Sequence, residues 1–165
     1  MQIQEITGGM LPTNCFIVTD EETGISAVID PGFISDELFD RIKELKKVDA
    51  ILLTHGHFDH IMGVKTVQDM TGAKIYMHEL EKDFATDSRL NLSTVIAERQ
   101  CDAFVPDVLY HDGDKIQVGN LPFRVLHTRV YHWKQLPDCK DTIFSGDTIF
   151  KVLVELTFQP PILQK

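Results

Sequence analysis

No stretch of the 165-residue chain approaches the roughly 18 consecutive apolar residues of a membrane-spanning helix, so no membrane partner is expected. Cysteine is scarce. Cys15, Cys101 and Cys139 are odd in number and far apart, and none sits in a CxxC pair. No disulfide framework follows, and a reducing compartment is expected. Positive charge is thin as well: 16 Lys and Arg stand against 25 Asp and Glu, for a formal charge of −9, and nothing basic is clustered. A phosphate backbone would find no counter-charge, so nucleic acid is not an expected partner, and the acidic surplus reads as a solvated surface. Met1–Met10 has no basic segment followed by an apolar one. No secretory signal is visible, and the chain is expected to be cytoplasmic. Neither a repeat nor a low-complexity tract is present. What remains, at 43% hydrophobic and 25% charged, is an ordinary globular composition long enough to bury one core.

Turn residues and apolar patterning divide this chain into elements. Strands are predicted over Ile3–Ile6, Cys15–Thr19 and Ile25–Ile29, separated by Gly8-Gly9 with Pro12 and by the polar loop Asp20–Gly24. Asp30-Pro31-Gly32 stops the third. Ser35 or Asp36 caps a helix running to about Lys47, with Leu38, Ile42 and Leu45 on one face. Val48–Leu53 reads as a buried strand, Ile61–Met70 as a helix ended by Thr71-Gly72, Lys74–Met77 as a strand, and Glu79–Ala103 as irregular helix. After the turn at Asp112-Gly113-Asp114, Lys115–Val118 and Phe123–His127 form a hairpin, and Thr142–Phe144 is a strand ending at Ser145-Gly146-Asp147. Alternating strands and helices in both halves predict one layered α/β domain over residues 1–165.

Chemistry concentrates at the end of the fourth strand, in Thr54-His55-Gly56-His57-Phe58-Asp59-His60. His55, His57, Asp59 and His60 are ligand types for a borderline metal such as zinc, and their density points to a two-metal site. A buried strand fixes where such a loop begins. Gly56 lets the backbone turn between His55 and His57. His55 and His57 are expected to face one metal, and Asp59 and His60 the other. Two cations about 3.5–4 Å apart share an oxygen and lower the pKa of bound water, making hydroxide available for attack on an ester-like carbonyl.

These residues match the HxHxDH signature of the metallo-β-lactamase superfamily, and the surroundings resemble its glyoxalase II-like branch. Supporting matches are Thr13-Asn14-Cys15, Val28-Ile29-Asp30-Pro31-Gly32, Asp112-Gly113-Asp114, Leu126-His127-Thr128 and Phe144-Ser145-Gly146-Asp147-Thr148, in the family's order from about residue 3 to residue 151. The resemblance implies an αβ/βα sandwich (α+β, four-layer) with metals at one edge of the sheets. It also implies that Asp147, by spacing alone only a turn aspartate, is the carboxylate bridging two metals. Zinc is the default, and iron or manganese suits the same donors. The implied reaction is hydrolysis of a thioester or related acyl bond in a small-molecule substrate. A metal-bound hydroxide would be the nucleophile, Asp59 a catalytic residue as well as a ligand, and S-acylglutathione-like thioesters the default substrate.

Two tracts depart from the family pattern. After Leu126-His127-Thr128 the family has Pro-Gly-His-Thr, whose His binds the first metal. Here the chain reads Arg129-Val130-Tyr131-His132-Trp133, with Tyr131 at the ligand position and His132, a substitute ligand, one residue late. The family's last metal-binding His, beyond Ser-Gly-Asp, has no counterpart, because no His follows His132. Residues 129–140 and 152–165 therefore read as aberrant, and the family's C-terminal layer as incomplete. Lowered stability or self-association through uncovered apolar surface follows from that. The alternative function is a damaged or truncated non-catalytic relative binding at most one metal. Other histidines carry less: His78 and His111 read as structural, and His127 as a core or ligand-supporting residue. Lys151 is either a solvated lysine or an attractor for an anionic substrate.

Both tracts have a specific explanation in frame slips of the encoding DNA or of its sequencing. One allowed back-translation of Lys151–Lys165, read one base out of frame, gives GSGRTDFPTADTSK, which resembles the Gly-Arg-x-Asp segment after Ser-Gly-Asp in the family. Tyr131–Lys140 likewise permits TTGSSCLIVK, a turn and then an apolar strand. Val130 demands a GTN codon, so the ligand His is not recovered without a further base change. Resequencing codons 127–165 is expected to reveal shifted frames over both tracts. A single frame encoding the chain as it stands would contradict this.

Overall fold

The structure is a computed structural model and describes residues 1–97, 100–130, 132–139 and 142–148, with the side chains of 127–130, 132–139 and 148 outside that description. Strands β1 (Gln2–Gly8), β2 (Thr13–Thr19), β3 (Ile25–Ile29) and β4 (Lys47–Leu52) form, with helix α1 (Asp36–Lys43) between the last two. Helices α2 (Phe58–Ile61) and α3 (Val64–Thr71) lead to β5 (Lys74–His78). A 3₁₀ turn at Glu79–Ala85 and the short helix α4 (Ser93–Ile96) precede β6 (Val108–Tyr110). Then come β7 (Lys115–Val118), β8 (Leu121–Val130), β9 (His132–Cys139), β10 (Thr142–Ile143) and a 3₁₀ turn at Gly146–Thr148.

Six strands make one sheet in the order β1-β2-β3-β4-β5-β6, and four make a second in the order β10-β9-β8-β7. The first is antiparallel up to β3 and parallel from β3 to β6; the second is antiparallel. Side chains of a strand alternate between faces, so each central strand serves two cores. Ile17, Val28, Ile51 and Leu53 pack against Leu38, Ile42, Ile61, Val64 and Val67 of the helices. Their neighbours Val18, Ala27, Ile29, Ala50 and Leu52 face the second sheet, against Ile116, Val118, Phe123, Val125 and Phe144. Strands buried on both faces read as near-continuous apolar runs, which is why β3 and β4 stand out in the sequence. The result is the expected α/β sandwich. Among the described residues it comprises a helical layer and two sheets, and no helix there is long and apolar enough to cross a membrane.

The structure corrects several expected boundaries. Helix α1 stops at Lys43, short of Lys47. The Leu45 N–H turns back to the Ile42 carbonyl at 3.2 Å, and Lys47 already pairs with Ile25 in the sheet. Its N-cap is Ser35, whose hydroxyl accepts from the Leu38 N–H at 3.2 Å. The expected helix from Ile61 is two helices broken at Gly63. A Cβ there would lie 2.6 Å from the Phe33 carbonyl oxygen, and the Gly63 N–H bonds the Pro31 carbonyl at 2.7 Å. Because α2 begins at Phe58, Asp59 and His60 are helical rather than loop residues.

Among its described residues, Glu79–Ala103, expected as irregular helix, contains the 3₁₀ turn and α4 and no longer helix. Alternation in both halves does not hold either: beyond β6 the described elements are antiparallel strands and one 3₁₀ turn. Within the tract read as aberrant, β9 pairs with β8, Pro137 standing opposite Val125. Proline is tolerated there because β10 reaches only Cys139 and Asp138, leaving Pro137 at an edge of the ladder. Residues 149–165, including Lys151, lie outside the described residues.

Candidate metal centre

Parallel pairing brings the carboxyl ends of β3, β4 and β5 to one sheet edge, and the ligand sequence leaves from the middle of it. Asp30, directly after β3, adopts a left-handed backbone with φ 48°, uncommon for a non-glycine residue. Its carboxylate, 2% exposed, accepts from the Thr54 N–H at 2.7 Å, from the Thr54 hydroxyl, and from His60 Nδ1 at 2.9 Å. One buried carboxylate thus joins the end of β3, the end of β4 and helix α2. With its Nδ1 proton held by Asp30, His60 turns Nε2 outward, 3.0 Å from Asp147 Oδ1 and 3.6 Å from Asp59 Oδ2.

The other donors gather on the far side of Asp147. His55 Nε2 lies 3.6 Å from Asp147 Oδ2, and ligand atoms of His55, His57 and Asp147 all lie within 4.8 Å of one another. The His55 ring stands 4.7 Å from that of His57 and 4.0 Å from that of His60, centroid to centroid. Asp59 is steadied by the Thr13 hydroxyl, which donates to Oδ2 at 3.1 Å across from β2. Asp147 can approach because Gly146, at φ 48°, has no Cβ; one there would fall 2.4 Å from Thr54 Oγ1. Gly32 makes a comparable approach: a Cβ would lie 1.6 Å from the Asp59 carbonyl oxygen. Gly56 is not in the left-handed region expected of a tight turn. It is needed for space, since its Cβ would meet Phe84 at 2.4 Å and Met77 at 2.8 Å.

Imidazole and carboxylate are the donor chemistry of borderline divalent cations. Two donors each about 2.1 Å from one cation stand roughly 3.4 Å apart. The spacings around Asp147 are of that size, so the residues present fit a metal. All five expected residues, His55, His57, Asp59, His60 and Asp147, meet at this edge. The side chain of His132 lies outside the described residues, as does that of His127.

His78 takes a structural part, its Nδ1 accepting from the Leu80 N–H at 3.1 Å. Exposed His111 bridges Glu79 at 2.8 Å and Asp114 at 3.4 Å. Cys15 is buried, which pushes its thiol pKa up. The supporting roles of Asp30, Thr54 and Thr13 escape a reading of the sequence. The available signal was an Asp-Pro-Gly stop on a strand that pairs in parallel with the ligand strand.

A cleft of about 500 Å³ opens beside Asp59, His60 and Asp147 and is walled by Leu11, Phe16 and Phe144. The Phe16 and Phe144 rings meet edge to face at 5.1 Å. Burial alone would lower the pKa of His60. The Asp30 charge, hydrogen bonds to Asp147 and Asp30, and the Asp59 charge overcome it and raise the pKa from 6.5 to about 10.

A model of the metallo-beta-lactamase superfamily matches residues 8–160. An uncharacterized protein of Aquifex aeolicus is 35% identical over 160 residues, covering 92% of this chain and 72% of its own. The hydroxyacylglutathione hydrolase GloC of Haemophilus influenzae is 28% identical over 156 residues, covering 92% and 73%. Among solved structures, the BLEG-1 B3 metallo-beta-lactamase superposes with a TM-score of 0.83 at 28% identity, covering 91% of this chain and 74% of that one.

In the metal-free protein the His60 folded pKa stands above its ordinary value. The stabilisation it supplies is therefore full below about pH 6.5 and is lost as pH rises through about 10. Urea unfolding in the presence of a chelator is predicted to show stability falling across that window, with Asp30→Asn flattening the fall. Parallel profiles for wild type and D30N would contradict the Asp30–His60 pairing.

Proposed function

We propose that this chain, which belongs to the metallo-β-lactamase superfamily, is a metal-dependent hydrolase of the glyoxalase II type, cleaving a thioester or related acyl bond in a small molecule. The observation that carries this reading is the placing of two nitrogen–oxygen donor groups on either side of one carboxylate, Asp147. His55, His57 and Asp147 would hold one cation, and Asp59, His60 and Asp147 the other. Zinc is the default occupant, and iron or manganese fits the same donors. Two such cations supply an activated water at neutral pH and polarise the acyl carbonyl.

The chain's own residues supply orientation. Asp30 holds the Nδ1 proton of His60, so that only Nε2 is presented to the site. Thr13 donates to Asp59 Oδ2, the oxygen that faces His60 Nε2, and so fixes the carboxylate's orientation. Thr54, tied to Asp30 through its N–H and hydroxyl, fixes the point at which the loop leaves β4. The cleft beside Asp59 and Asp147 gives the substrate its approach, with an apolar wall at Leu11, Phe16 and Phe144 on which an acyl group can lie. A relative named for hydroxyacylglutathione hydrolysis supports a thioester as the acyl class.

The zinc-loaded chain is expected to hydrolyse S-acylglutathione thioesters. Asp147→Ala removes a donor shared by both groups, so its loss in kcat/KM should exceed about 100-fold, the upper range for losing a mere supporting residue. Absence of turnover in the loaded wild type would favour the damaged, non-catalytic relative.

A further inference from the structure

The ligand segment leaves the sheet at Leu53, whose N–H makes the last bond across to β5, to the Tyr76 carbonyl at 3.1 Å. Beyond it no strand among the described residues runs alongside, and buried backbone donors need other acceptors. Alternate amides find them. The Thr54 N–H bonds Asp30 Oδ1 at 2.7 Å, the Gly56 N–H bonds Glu81 Oε2 at 2.6 Å, and the Phe58 N–H bonds the Asn91 carbonyl at 2.8 Å. The residues between them are His55 and His57, and Asp59 follows Phe58. Anchored amides thus flank both histidines offered to the site.

Asp30 belongs to the centre already described, but Glu81 and Asn91 come from the segment after β5. Both are buried, Glu81 to 3% exposure. A carboxylate so placed is costly unless bonded, and an N–H donating to a charged oxygen is among the stronger hydrogen bonds. The surroundings are tight. Phe84, one turn on from Glu81, fills the space a Gly56 side chain would need, and its ring lies 6.0 Å from that of His57. Asn91 is fixed in turn, donating from Nδ2 to the Phe84 carbonyl at 2.9 Å and accepting from the Ser93 N–H at 3.0 Å. It precedes Leu92, which has a left-handed φ of 66°.

We propose that Glu81, supported by Asn91, is a positioning residue for the metal centre. By accepting the Gly56 N–H it sets the bend between His55 and His57, and so forms their donor arrangement with Asp147 before any metal arrives. The inference rests on the reading of His55, His57 and Asp147 as metal ligands. A ligand pair held in place loses less freedom on binding, so the effect appears as metal affinity.

Two measurements on the full chain test it. The first is zinc affinity by competition with a chromophoric chelator, with the visible absorption of the cobalt(II) form as a readout of ligand geometry. Glu81→Ala should weaken zinc by about 10–100-fold and alter the cobalt spectrum. Glu81→Gln keeps a side-chain oxygen at the same reach and should recover to within about threefold of wild type. Wild-type zinc affinity in E81A, or E81Q no better than E81A, overturns the inference while leaving the metal reading intact. A wild type that binds no zinc overturns the metal reading and the inference with it. The second measurement needs no variant to fold. In the metal-free wild type, the Gly56 and Phe58 amides should exchange with solvent at least about 100-fold more slowly than in an unstructured chain. Exchange at the unstructured rate overturns the inference.

Discussion

The end of β3 and two points of the ligand segment 24 and 30 residues further on converge on the carboxylate of Asp30. It ends β3, receives the Thr54 N–H and hydroxyl at the end of β4, and receives His60 Nδ1 from α2. Breaking a buried pair of this kind typically costs about 3–5 kcal/mol, because the remaining partner is left uncompensated in the interior. The left-handed backbone at Asp30 costs a further 1–3 kcal/mol or so, and it persists only where the surroundings over-determine it. Here the Leu52 carbonyl takes the Asp30 N–H at 3.1 Å, and the Gly32 N–H closes on the Asp30 carbonyl at 2.7 Å. The start of the ligand segment at Thr54 and the ring of His60 are both positioned relative to this carboxylate.

The sheets explain why the site forms at this edge. Parallel strands from β3 to β6 deliver their carboxyl ends together, and open α/β sheets bind ligands beyond that edge. Strand β4 carries Ala50 and Leu52 toward one core and Ile51, with Leu53 just beyond its end, toward the other, so both faces are packed. Asp147 arrives from the opposite sheet, after β10, at the end of a strand pair that packs Phe144 against Phe16 and Phe123. The centre therefore lies at the junction of the two sheets, and its geometry depends on how they pack together.

Strands β3 and β5, the α1 cap and the hairpin turn were legible because apolar periodicity and turn residues decide them locally. The cluster of His55, His57, Asp59 and His60 was legible as chemistry. Its division between a strand-end loop and a helix was not, since nothing before Phe58 announces a helix start and His57 caps α2 without a side-chain bond. Asp147 could be singled out only through family resemblance, because the contact with His60 spans 87 positions. Asp30 looked like turn chemistry. Its role arises from parallel pairing of β3 with β4, which places it beside Thr54. Glu81 lay in a segment expected as irregular helix, where periodicity points to no face. Its part is set by a loop amide, and backbone amides leave no trace in a sequence. The break at Gly63 has the same origin: close approach to the Pro31 and Phe33 carbonyls is a property of packing.

Two donor groups flank Asp147, and each is proposed to hold one cation. Native mass spectrometry of the zinc-loaded chain, after exchange into a volatile buffer, tests that directly. A single dominant species carrying two zinc ions per chain is expected. A chain that retains one zinc ion or none under the same conditions would contradict it.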